Sequence, residues 1–436
     1  VTGTAEGSRT ADAVVLGAGV IGSAVALGLA RRGLQVAMVD EREGPGLGTT
    51  SASSSIIRFT YSTLVGTLMA WEAAGLWESF RGHLAAPAAE PVARLHRTGM
   101  VLLDSPDVDA TAITDALVRV GVPHERWDAA RLVAEVPGLD PGRHHPPSLP
   151  EDDAFWAEPT GTLGALWTPD AGVVDDPRLA AANLAAAAQR AGATPRWRSR
   201  VTALDLRGGT WTITTTGGVL EAPVVVVAAG PWSRGLLRLA GADAGVLPTR
   251  PLRQEVHVLP DPPGYRRADG LGPVVSDPDL GYYLRPGLVE GVVVGSMEPA
   301  CDPLEWLADP EAADPHRTEA AYSRQALRVA RRFPGLEVPP RPRGLASVYD
   351  VSADWAPVYD RTDAPGLYAA LGTSGNQFKT APLVGELVAQ LVVEVEGGRN
   401  HDADPLVVPG ARTGLPIELG AFSRRRAVGA ATSVLG

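Results

Sequence analysis

The segment Ala13-Val14-Val15-Leu16-Gly17-Ala18-Gly19-Val20-Ile21-Gly22, continuing through a helical run to Gly33 and then Val36-Ala37-Met38-Val39-Asp40, decides the fold. Ala13 to Leu16 form a short apolar strand, and from Ile21 to Arg32 apolar and small residues recur at helical spacing. Gly33 stops that helix, and Val36 to Val39 make a second strand that ends at Asp40. In the turn between them, Gly17 permits the tight bend, Gly19 lets the backbone approach a pyrophosphate, and Gly22 lets helix and strand pack closely. Val20 and Ile21 open the helix, whose N-terminal N–H groups and positive dipole end suit phosphates. Asp40, eighteen residues past Gly22, is placed to accept hydrogen bonds from an adenosine ribose. Strand, glycine turn, helix, strand and acid together predict a dinucleotide-binding βαβ unit.

The chain has 436 residues, enough for two closely associated domains, and its 45% apolar content supports a sizeable core. A net charge of −11 spread along the chain argues against nucleic acid, which needs a basic face, and favours a small-molecule substrate. Cys301 is the single cysteine, so neither a disulfide framework nor a cysteine metal cluster is available, as suits a reducing cytoplasm. No run approaches the roughly 18 apolar residues of a membrane helix, and Val1 to Thr10 lacks signal-peptide character and reads as a loose tail. The eight histidines are scattered, His144 and His145 read as solvated in a Pro-rich loop, and no hydrolytic triad or metal motif is present.

Further along, helices are predicted at Leu64 to Phe80, Ala110 to Gly121, Asp176 to Ala191, Thr318 to Arg332 and Ala381 to Val395. Strands are predicted near Val201 to Leu206, Trp211 to Thr216, Val256 to Leu259, Tyr282 to Arg285, Val292 to Val294 and Leu367 to Leu371. The run Val224 to Val227, ending in Ala228-Ala229-Gly230-Pro231, belongs at the centre of a sheet covered on both faces. After Gly398 the chain turns polar, with a basic patch at Arg424 to Arg426 to which no role is assigned. The glycine motif alone does not choose FAD over NAD. Its extreme N-terminal position and the distant Val224 to Gly230 strand and turn favour FAD.

Further blocks carry a family resemblance: Ser54-Ser55-Ile56-Ile57-Arg58, Val174 to Pro177 with the helix after it, Val224 to Ser233, Tyr283-Leu284-Arg285-Pro286, and Leu371-Gly372-Thr373-Ser374-Gly375-Asn376-Gln377-Phe378-Lys379. In these the chain resembles the FAD-dependent amine oxidoreductases of the D-amino acid oxidase superfamily, in the branch of glycine oxidase and sarcosine oxidase. The resemblance implies an α/β plus α+β fold, with a Rossmann-like FAD-binding domain and an interleaved substrate domain built on an antiparallel sheet. The expected division is 1–95, 163–245 and 343–436 for FAD, and 96–162 and 246–342 for substrate. It adds Val201, Gly230, Gly372, Ser374, Gly375, Asn376, Gln377 and Phe378 to the cofactor-binding set.

By the same resemblance Arg58 pairs with a substrate carboxylate, for which a planar guanidinium is suited, although a structural ion pair would use the same residue. Lys379 helps hold that carboxylate, with phosphate or solvent as the other readings. Arg285 stands near the position of a lysine that promotes oxygen reduction, so the electron acceptor is oxygen or another oxidant. Tyr283 borders the substrate cavity or simply packs. Ser347 occupies the place where some relatives attach FAD to a cysteine, which implies noncovalent FAD. The activity implied is oxidation of a small amine or amino acid, a hydride passing to flavin N5 to leave an imine. The alternatives are oxidation of a 2-hydroxy acid, a flavin monooxygenase whose C-terminal Gly-Asp motif is not evident here, and a flavin-carrying subunit of a multi-chain enzyme.

Overall fold

The opening βαβ unit is present in the computed structural model, which describes residues 9–268 and 270–429. β1 (Ala13–Leu16) is wholly buried, α1 (Val20–Arg31) follows the glycine turn, and β2 (Val36–Val39) lies parallel to β1 with Ala13 opposite Val36. The same sheet takes β3 (Thr194–Arg196) after helix α2 (Pro177–Arg190), then β4 (Val224–Val227), β5 (Val358–Arg361) and β6 (Leu367–Leu371), with α3 (Ala381–Glu396) last. The strand order is β3-β2-β1-β4-β6-β5, parallel throughout except for β5 against β6. The four-valine strand β4 sits between β1 and β6 with every side chain buried, as a continuous apolar run requires.

Helices α1, α2 and α3 cover one face of this sheet, with Ala24, Leu27, Leu184, Val384 and Val388 in a shared core. Gly28 and Gly385 let α1 and α3 touch backbone to backbone: a Cβ on Gly28 would collide with the Gly385 carbonyl, and one on Gly385 with the Ala24 backbone. The other face is covered by the antiparallel strands Val201–Arg207, Thr210–Thr215 and Gly218–Ala222, through Leu204, Trp211 and Ile213.

A second, nine-stranded sheet includes Met100–Leu103, Ala165–Thr168, Thr249–Leu259, Val274–Asp277, Tyr282–Pro286, Val292–Ser296 and Gly344–Ser352. It is antiparallel apart from one pairing, Met100–Leu103 running parallel to Val274–Asp277. These two strands come from distant parts of the chain, so no hairpin dictates their relative direction. Two strands lie outside the stretches 96–162 and 246–342: Ala165–Thr168 pairs with Met100–Leu103, and Gly344–Ser352 pairs with Thr249 to His257 of the strand Thr249–Leu259. Sheet membership follows the hydrogen-bond partner, which the local pattern does not reveal.

The helix Glu319–Arg332 packs behind this sheet through Ala326 and Val329 against Tyr282 and Leu284. Its Arg332 is fully buried and pairs with Asp277 and Asp279, each at 2.8 Å. Asp279 also accepts the backbone N–H groups of His144 and His145, so that loop is half-buried against the sheet instead of solvated. The run Arg424 to Arg426 is not a basic surface patch either. Arg424 is buried against Asp360 and Asp402, and Arg426 forks onto Asp354. Among the described residues no helix is long and apolar enough to cross a membrane.

Candidate functional site

A cavity of about 510 Å³ begins at the carboxyl ends of β1 and β2 and ends against the second sheet. Open α/β sheets bind ligands at that edge. Gly17 adopts φ +105°, and a Cβ on Gly22 would collide with the Gly17 carbonyl, so both glycines are needed for the turn. Gly17, Gly19, Val20 and Ile21 line the cavity, whereas Gly22 packs beneath it. At Gly19 a Cβ would meet only the Thr50 hydroxyl, at 3.1 Å, and that hydroxyl accepts the Val20 N–H.

Asp40 faces the cavity and also holds the turn. Its Oδ2 accepts from the Ala18 N–H at 2.7 Å and its Oδ1 from the Arg42 N–H at 2.8 Å. Each carboxylate oxygen keeps a further lone pair for a ligand. Val201 and Gly230 also line the cavity.

The loop after β6 supplies the opposite wall through Gly375, Asn376, Gln377, Phe378 and Lys379. Gly372 and Ser374 do not reach the cavity; they shape the loop. The Gly372 N–H donates to Asp350 Oδ2 at 2.6 Å, and the Ser374 N–H to the Asp350 carbonyl at 2.8 Å. Asp350, unmarked in the sequence, lines the cavity and ties this loop to the second sheet.

Arg58 and Lys379, about 320 residues apart in sequence, converge on Tyr61. The Arg58 guanidinium lies 4.3 Å from the Tyr61 ring centroid and donates to the Thr60 carbonyl. Lys379 Nζ donates to the Tyr61 hydroxyl at 3.0 Å and to the Asn376 carbonyl. Both side chains are buried and both line the cavity. Burial lowers the pKa of each, and for Lys379, held well below its ordinary range, the Arg58 charge adds to the effect. Trp77 fixes the lysine backbone, its Nε1 donating to the Lys379 carbonyl at 2.7 Å while its ring stacks on Phe378. Tyr61 and Trp77 escaped the sequence reading because nothing in their local pattern separates them from core aromatics.

Tyr283 lines the cavity, its hydroxyl 2.7 Å from Ser54 Oγ and hydrogen-bonded to Tyr349. Arg285 is not among the lining residues. Two residues further along the strand, a step of about 7 Å, its guanidinium turns to the Pro286 carbonyl. Ser347 does line the cavity, and Cys301 does not.

The family model described as FAD dependent oxidoreductase matches residues 12–391. The chain belongs to that family. Among curated relatives, the tRNA 5-methylaminomethyl-2-thiouridine biosynthesis bifunctional protein MnmC of Cupriavidus metallidurans is 26% identical over 411 residues, which is 88% of this chain and 56% of the relative. The FAD-dependent oxidoreductase domain-containing protein 1 of Bos taurus is 32% identical over 195 residues, covering 40% of this chain and 36% of the relative. The chain thus spans between about a third and three fifths of the length of these relatives. Among solved structures, glycine oxidase from Geobacillus kaustophilus superposes with a TM-score of 0.72 at 21% identity, covering 97% of this chain and 100% of that one. L-proline dehydrogenase from P. horikoshii gives 0.73 at 22% identity, covering 89% and 94%. At these identities the superpositions show the shared fold.

The residues present fit the family's cofactor. A glycine turn that excludes side chains stands at the N-terminus of α1, Asp40 retains acceptor capacity, and the cavity continues from there to the 375–379 loop.

Proposed function

We propose that this FAD-dependent oxidoreductase oxidises a small amine or amino acid that carries a carboxylate, with Arg58 and Lys379 holding that carboxylate. One observation carries the reading. Two buried basic side chains converge on Tyr61 at a cavity wall, where burial, and then the Arg58 charge, depress the pKa of Lys379. An incoming carboxylate relieves that repulsion and accepts from both donors, the guanidinium offering a planar fork. When bound, FAD supplies the hydride acceptor. The chain itself has to orient the substrate C–H bond and exclude water, and no protein nucleophile is required. Two of the similar structures named above, glycine oxidase and L-proline dehydrogenase, carry an amino acid in their names, which supports the same reading.

Replacing Arg58 or Lys379 with Met tests this. Truncating a buried charge contact costs roughly 2–5 kcal/mol, or about thirtyfold and more in catalytic efficiency. Anaerobic flavin reduction should fall by that factor for a carboxylate-bearing amine and much less for a matched neutral amine. Equal losses for the two substrates would overturn the carboxylate anchor.

A further inference from the structure

The far end of the cavity is formed by one face of the second sheet, and pairing register shows what that face presents. Val274 lies opposite Met100, Ser276 opposite Tyr283 by way of the Val274–Asp277 and Tyr282–Pro286 ladder, and Tyr283 opposite Gly295. Met297, two residues beyond Gly295, completes the set, and Met100, Val274, Ser276, Tyr283 and Met297 all line the cavity. The alternate residues Val101, Val275, Tyr282 and Leu284 point the other way into the sheet's own core.

Of these five residues two are polar, and both are already engaged. The Ser276 hydroxyl donates to Met297 Sδ at 3.3 Å, and the Tyr283 hydroxyl is held by Ser54 and Tyr349. Arg285 turns away to the Pro286 carbonyl, and Glu298, whose charge acts on Tyr283 and Tyr349, takes the Gln254 amide at 2.9 Å and is not among the lining residues. Two thioethers dominate what is left. Methionine is unbranched and adapts its shape to an apolar group.

We infer that the substrate, anchored by its carboxylate, turns an uncharged apolar substituent toward Met100, Val274 and Met297, so that the enzyme selects aliphatic or aromatic amino or imino acids and rejects a second charge. This inference rests on the carboxylate-anchor reading above and deepens it. A second carboxylate or an ammonium placed against Met100, Val274 and Met297 would be desolvated beside side chains that offer it no charged partner, a large cost. An alkyl substituent gains burial with each methylene.

The test uses holoenzyme and unreactive ligands that lack the amine. Straight-chain monocarboxylates from acetate to hexanoate are titrated by calorimetry and by perturbation of the visible flavin spectrum, beside dicarboxylates of matched length and primary amides of the same chains. Affinity should rise about fourfold per methylene over the first two or three, with each dicarboxylate at least about tenfold weaker than its monocarboxylate. In Met297→Gln the chain-length slope should flatten, and the wild-type series decides the matter alone should that variant lose its flavin. A flat series, or dicarboxylates bound as tightly as monocarboxylates, would overturn the apolar wall. Amides that bind as tightly as the acids, with the slope intact, would overturn the anchor and leave the wall standing.

Discussion

Asp350 shows how much a single unremarked residue does here. It is buried, and burial raises its pKa to about 6 even though the Gly372 N–H and Thr249 side chain bond its charged form and Arg234 is near. The unfolded value is about 3.9, so between pH 4 and 6 the folded state holds a proton that the unfolded chain has released. Stability from this group is therefore present below pH 4 and lost as pH rises to 6. Asp350→Asn keeps an acceptor for Gly372 and removes the titration. Urea unfolding of both proteins should show similar stability at pH 4 and an advantage to the variant, on the order of 3 kcal/mol, by pH 7. A difference that does not change with pH would disprove the shift. The Ser347 position yields a second residue-scale prediction. A hydroxyl at the cavity wall forms no thioether, so acid precipitation should leave a colourless polypeptide whose mass carries no added FAD.

Secondary-structure elements were read with little error where periodicity and end signals agree. Ala110–Val120 stops at Gly121 in the left-handed conformation, and Pro177–Arg190 starts from Asp176, whose side chain accepts the Leu179 N–H. What the pattern does not reveal is how closely two helices approach. Gly28 and Gly385 fall in ordinary apolar runs, yet a side chain on either would enter the backbone of the facing helix. Gly385→Ala should cost about 1–3 kcal/mol by overpacking, measured by urea or thermal unfolding. Unchanged stability would mean that the two helices are not in backbone contact. Because α1 also presents its N-terminus to the cavity, weaker flavin retention should accompany the loss.

For the whole molecule, closure depends on a buried ion cluster. Arg424 has no exposed side chain and donates to Asp360 at 3.1 Å, Asp402 at 2.7 Å and Asp363 at 2.7 Å, fastening the C-terminal segment over β5. Removing one partner from such a cluster strands buried charge. Arg424→Met is expected to cost about 3–5 kcal/mol, and the double variant Arg424→Met with Asp360→Leu to recover part of it. Chemical unfolding of the three proteins checks both statements. Equal stability of wild type and the single variant would show that the cluster is not needed.

The N-terminal strand, glycine turn, helix and Asp40 were legible in the sequence because their chemistry is local: a turn that requires φ +105° at Gly17 and excludes a Cβ at Gly22 leaves its mark on consecutive residues. The four-valine strand was legible for the same reason, since burial on both faces shows in four adjacent side chains. Arg58 and Lys379 were singled out only through the blocks that surround them. That they meet over Tyr61 depends on the loop after β6 and the segment after the strand Ile56–Ile57 being brought together, which no spacing of some 320 residues encodes. Likewise, Arg285 and Tyr283 share one face of one strand, and only the sheet's position decides that the tyrosine reaches the cavity and the arginine does not. Membership of Ala165–Thr168 and Gly344–Ser352 in the second sheet, and burial of the Arg424 run, were decided the same way. In each case the partner is distant in sequence, and the interaction that fixes the residue's role exists only once the chain has folded.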